Sequence, residues 1–110
     1  MEDVIEKRKS DRHSCEVPVI WSYFNRGEVY TGRKLNYSRE GVYFESETAP
    51  RPGATVLIKR HYDSGENCVF EMREGYREII LGEVRWCNQI RDGDNAYYGV
   101  GVHYFDAGYP

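Results

Sequence analysis

Two clusters of polar residues combine side chains and positions suited to chemistry. Lys7, Arg8, Lys9 and Arg12 concentrate positive charge near the N-terminus, opposed locally by Glu6 and Asp11. Arg8 and Arg12 are four apart. A helical turn places both guanidinium groups on one face, and an extended arm also puts them on one side. Each planar fork can grip a phosphate bidentately or pair with O6 and N7 of a guanine. Further along, Asn36 and Ser38 stand at alternate positions, so an extended segment points both side chains the same way. The Asn36 amide oxygen can accept from a guanine edge, and the Ser38 hydroxyl can serve a phosphate or a base nitrogen. Gly41, three residues on, permits a positive φ or the close approach of a ligand. Two plainer readings stand beside these: a solvated terminal arm, and a polar turn between strands.

The elements that must position these residues read as strands. "CEVPVIWSYF" alternates Val17, Val19, Trp21 and Tyr23 on one side, the period of a strand. Pro18 within it suggests an edge strand or the strand's start. "NRG" at Asn25 to Gly27 is a turn, and "EVYTGRKLN" a second strand in which Gly32 marks a bulge or bend. "GVYFES" is a third strand, with Val42 and Phe44 facing inward. "TAPRPGA" is a loop, and "TVLIKRHY" a fourth strand. "DSGEN" reads as a turn, with "CVFEM" a short strand or an insertion after it. "REIILGEVRWC" is a long fifth strand with Val84 and Trp86 on one face. "RDGDN" is a hairpin loop, and "AYYGVGVHYF" closes the chain with Val100, Val102 and Tyr104 in register. Strands joined by glycine-rich turns, without an amphipathic helix, predict an all-β fold: a small six-stranded antiparallel barrel, whose closure removes exposed edges.

Length and composition bound the rest. A chain of 110 residues is one domain with a modest core. Ten tyrosines suit β faces that are dry on one side and wet on the other. No run is long and apolar enough to span a membrane, and the N-terminus lacks the apolar centre of a secretory signal, which predicts a cytoplasmic protein without membrane insertion. Cys15, Cys68 and Cys87, an odd number at wide spacings, fit reduced thiols. No close ligand pair proposes a metal, and "DGDN" lacks the later ligands of a calcium loop. "GVGV" lacks the rest of a dinucleotide fingerprint, and Ser38 lacks the context of a nucleophile elbow. These patterns point to neither an enzyme nor a cofactor.

"RKSDR" from Arg8 to Arg12 fits R-x-x-x-R, and "NYSREG" from Asn36 to Gly41 fits [D/N]-x-S-x-x-G. In this order, on an all-β chain of this length, they resemble the PilZ domain, and "GEVRWC" and "YYGVGVHYF" look like that family's closing strands. The resemblance runs from about Glu6 to Phe105. It implies a six-stranded barrel of PilZ type with a flexible N-terminal arm, acting as a receptor for cyclic di-GMP rather than as a catalyst. On that basis residues 1–13 form the arm, 14–106 the barrel and 107–110 a tail. The implied ligand-binding residues are Arg8, Arg12, Asn36, Ser38 and Gly41, with Lys7, Lys9, Arg39 and Trp86 as secondary candidates. Lys7 stands where the family associates the residue with binding of one ligand or a stacked pair, and Asp11 can compete for the arginines. Trp86 shares parity with Val84, which favours core packing for it. An effector protein, unidentified, is the implied partner of a monomer or dimer. The rivals are a PilZ-like protein-interaction module that binds no nucleotide and a small single-stranded nucleic-acid-binding barrel. A pI near 5.6 argues against a broad DNA-binding face.

Overall fold

The computed structural model of the chain describes residues 12–62 and 76–105. Alternation of apolar and polar residues resolves into six strands: β1 His13–Tyr23, β2 Tyr30–Tyr37, β3 Gly41–Ser46, β4 Thr55–Arg60, β5 Ile79–Asp92 and β6 Asn95–Tyr104. They close in the order β1-β2-β3-β6-β5-β4, every pairing antiparallel. The turn expected at 63–67 and the short strand expected at 68–72 lie outside the described residues.

The inward faces meet in one core. Val17, Val19 and Trp21 of β1 pack with Val42 and Phe44, Val56 and Ile58, Ile80 and Val84, and Val100, Val102 and Tyr104. Trp21 is almost fully buried, and its indole N–H donates to Ser46 Oγ at 3.0 Å, which removes the cost of an unpaired buried donor. Lys34 also points inward from β2. Its ammonium donates to the carbonyl of Arg77 at 2.9 Å and stands 4.4 Å from the Tyr76 ring centre. Burial lowers its pKa, because the charged form is the one that loses water. Lys34 thereby ties the 76–78 segment to the barrel. Tyr76 and Tyr62 both donate to Glu78, and Arg60 pairs with the same carboxylate at 3.6 Å.

Two local expectations are corrected. Pro18 marks neither an edge strand nor a strand start: β1 begins at His13, and its pairing with β4 begins at Val19, one residue beyond the proline. The missing N–H therefore falls where β4 has not yet begun to pair. Gly32 is not a bulge, because it pairs in register with Val19 and Ser46. A Cβ there would lie 2.7 Å from the Glu45 carbonyl, so the glycine serves close strand approach. The register shifts fall elsewhere: between Ser14 and Val17, between Lys34 and Asn36, and between Val84 and Trp86.

Candidate functional site

The shift after Lys34 decides where Asn36 points. Lys34 faces the core and Tyr37 is buried too, so the extra residue at Leu35 turns Asn36 to the outer wall. There it meets Arg12, which directly precedes β1: Arg12 Nη1 donates to Asn36 Oδ1 at 2.9 Å. Two residues on, Ser38 and Gly41 flank the short turn into β3, Ser38 N–H donating to the Gly41 carbonyl at 2.8 Å. The Ser38 oxygen accepts the Glu40 N–H at 3.1 Å, which leaves its O–H as a donor. Tyr104 N–H donates to the Glu40 carbonyl at 2.9 Å and pins this turn against β6.

Gly41 does not have a positive φ. A Cβ on it would lie 2.2 Å from the Val102 carbonyl, so what approaches closely is the backbone of β6. Its fitness for the site is that of a residue whose absent side chain lets β3 and β6 lie together, beneath the cavity it helps to line.

That cavity, about 450 Å³, lies on the outer wall and falls in the ~300–1,000 Å³ range of ligand sites. Arg12, Asn36, Ser38 and Gly41 line one part of it, and Tyr43, Arg85, Trp86 and His103 the other. Trp86 is therefore a correction. Val84 is buried, but Trp86 is 42% exposed and outward. Val84 pairs with Val102 and Trp86 with Gly101, so the extra residue between them reverses the parity. The indole lies over Gly101, where a Cβ would come within 2.3 Å of ring atoms. It stacks on Tyr43 at 5.6 Å between centroids and 29° between planes. Tyr43 in turn lies over Gly99 and donates to Glu45 at 3.3 Å. Burial first, then the Glu45 charge, raises the Tyr43 pKa and keeps the phenol neutral.

Lys7, Arg8 and Lys9 lie outside the described residues, and Arg39 is exposed at the turn, outside the cavity lining. The residues missed in the sequence are Tyr43, Glu40, Arg85 and His103. For Tyr43 a signal existed. It alternates with inward Val42 and Phe44, and Gly99 and Gly101 alternate with inward Val100, leaving bare backbone that an outward ring covers.

The site therefore joins a guanidinium, an amide and a hydroxyl to a stacked aromatic pair, Trp86 exposed and Tyr43 half-buried. Comparison with known proteins then settles the lineage: the PilZ domain family model matches residues 6–108. The chain belongs to the PilZ family. Curated protein sequences contain no match to it. Among solved structures it is similar to the "PilZ domain with c-di-GMP of YcgR from Escherichia coli". The two share 14% identity at a TM-score of 0.62, over 94% of this chain and 82% of that one. It is also similar to the "K. pneumonia MrkH-c-di-GMP complex", with 14% identity and a TM-score of 0.60, over 92% of this chain. The match spans 45% of the MrkH chain. At these identities the two structures establish the PilZ fold. Among the described residues no helix is long and apolar enough to cross a membrane.

Proposed function

We propose that this PilZ chain is a receptor for cyclic di-GMP, bound on the outer wall between Arg12, Asn36 and Ser38 on one side and Trp86 and Tyr43 on the other. The observation that carries the reading is the Arg12–Asn36 contact at 2.9 Å on the rim of a cavity that also presents a stacking surface. Both similar structures are complexes of those proteins with cyclic di-GMP, which supports the choice of ligand. The chemistry matches: phosphates take guanidinium forks, and guanine faces take aromatic rings. Asn36 restrains Arg12 at the cavity rim, so in this reading part of the ordering cost precedes binding. Arg8 enters the reading through its place in the R-x-x-x-R motif, with the residues before His13 as the closing arm and the barrel beginning at His13, the first residue of β1.

In this reading the chain acts by binding, with no reacting group assigned. Its effect passes through a partner protein that prefers the ligand-bound arrangement, because ligand and partner can couple only by favouring the same state. Calorimetric titration with cyclic di-GMP tests it, with GMP and Arg12→Ala as controls. The expected result is saturable binding at one or two ligands per chain. Arg12→Ala weakens it by about 2 kcal/mol, roughly thirtyfold. Absence of binding at high micromolar ligand overturns the reading and leaves a PilZ barrel that contacts only protein.

A further inference from the structure

We infer that Arg85 is a second anion-holding residue of the cavity, on the wall opposite Arg12, and that it favours a ligand with two phosphates over one with a single phosphate. The inference rests on the cyclic di-GMP reading of this cavity. Arg85 is the inserted residue of β5, without a cross-strand partner on β6 between the pairs Val84–Val102 and Trp86–Gly101. An inserted residue shares its stretch of wall with the next one, so guanidinium and indole both stand on the outer face. Both are exposed, and both line the cavity.

The geometry separates the two arginines. Arg12 is held at β2 through Asn36, and β3 and β6 lie between β2 and β5. Three strand spacings amount to roughly 14 Å along the wall. The two arginines therefore reach the cavity from different strands of the wall. A cyclic dinucleotide carries its two phosphodiesters on opposite sides of one ring, so with both long side chains reaching inward one phosphate pairs with Arg12 and the other with Arg85 in this arrangement. The groups around Arg85 leave it available. Its contact with Glu83 is 3.9 Å, beyond hydrogen-bond reach, with side chains 57% and 41% exposed. His103 on β6, paired in register with Glu83, lines the cavity between the two walls, and Glu40 is the carboxylate that lines it.

The alternative role for Arg85 is a surface ion pair with Glu83, and the two roles differ in sign at Glu83. Titrations of the full chain with cyclic di-GMP, and displacement of it by GMP, are run on wild type, Arg85→Ala, Arg85→Lys, Glu83→Gln and Arg12→Ala. The expected result is an approximately tenfold loss of cyclic di-GMP affinity in Arg85→Ala, with the GMP affinity derived from displacement unchanged. Arg85→Lys falls between, since lysine keeps the charge and loses the fork. Glu83→Gln tightens binding about twofold, because the competing carboxylate charge is gone; an ion pair that merely supports the strand gives no gain. Thermal melts should superimpose for all variants, given the exposure of the Arg12, Glu83 and Arg85 side chains. If Arg85→Ala binds like wild type while Arg12→Ala does not, the inference is wrong and the receptor reading stands. If Arg85→Ala weakens GMP as much as cyclic di-GMP, the preference for two phosphates is wrong. If wild type binds neither nucleotide, both fall together.

Discussion

Gly41 and Gly101 both stand where a neighbour occupies the place of a Cβ, but the neighbours differ in what they can yield. At Gly41 the neighbour is the Val102 backbone carbonyl, 2.2 Å from the added carbon. Backbone in a closed barrel cannot move aside alone, so Gly41→Ala is expected to cost about 1–3 kcal/mol of stability, as overpacking does. Thermal melting reads this directly, and an unchanged midpoint would remove the close-approach role from Gly41. At Gly101 the neighbour is the Trp86 indole, 2.3 Å away, on an exposed side chain that can swing. Gly101→Ala should therefore keep its melting point but shift the tryptophan fluorescence and weaken cyclic di-GMP. Trp86→Ala should weaken it comparably, by about 1–3 kcal/mol, the usual worth of an aromatic ring under a base. Normal affinity in both variants would mean that guanine does not stack on this indole.

At the scale of elements, the inserted residues in β2 and β5 do the aiming. Each reverses the parity of the strand beyond it, sending Asn36 and Trp86 to the outer wall while Tyr37 and Val84 stay inside. The 76–78 segment is fastened differently, by charge and hydrogen bonds. The Tyr62 hydroxyl holds the Glu78 carboxyl below its ordinary 4.5, burial works against it, and Tyr76 and Arg60 add to the lowering. A folded value below the unfolded one means the stabilisation is complete above about pH 4.5 and is lost as pH falls through the folded value. Glu78→Gln should lower stability at pH 7, read from the melting midpoint, by less than about 1 kcal/mol for so exposed a group. The gap to wild type should close as acid protonates the native carboxyl, and a gap independent of pH would sink the assignment. Tyr76 is pushed up to about 12, chiefly by burial, so its phenol keeps its proton as this happens.

Across the whole molecule the charge is −3, yet the outer wall is divided. Arg12 and Arg85 line the candidate cavity, while a second groove of about 550 Å³ is lined by Glu45, Glu47 and Asp92 against Arg33. A dianionic ligand is drawn to the first and repelled from the second. Lys59, exposed on β4 and outside the cavity lining, should be dispensable, and Lys59→Ala is expected to bind as wild type in the same titration. Salt should weaken binding gently: with two phosphates neutralised, the slope of log affinity against log salt stays at or below about 2 in magnitude. A much steeper slope, with indifference to guanine, would point instead to a single-stranded nucleic-acid binder.

The sequence alone determined the strands, most of their inward faces and the two motifs, because each depends on residues near one another in the chain. Val17, Val19 and Trp21, or Val100, Val102 and Tyr104, declare their common face by a period of two wherever the strand is regular. Asn36, Ser38 and Gly41 were legible as a cluster from their spacing, and they line one cavity in the fold. Trp86 was not, because its direction depends on one inserted residue in the pairing of β5 with β6. The role of Gly41 was equally hidden, since the atom that forbids a side chain there belongs to Val102 on β6. Lys34 has the parity of a core residue, but the carbonyl that makes its burial tolerable comes from Arg77. Register and partnership between distant strands are fixed only when the barrel closes, and tertiary structure decided them.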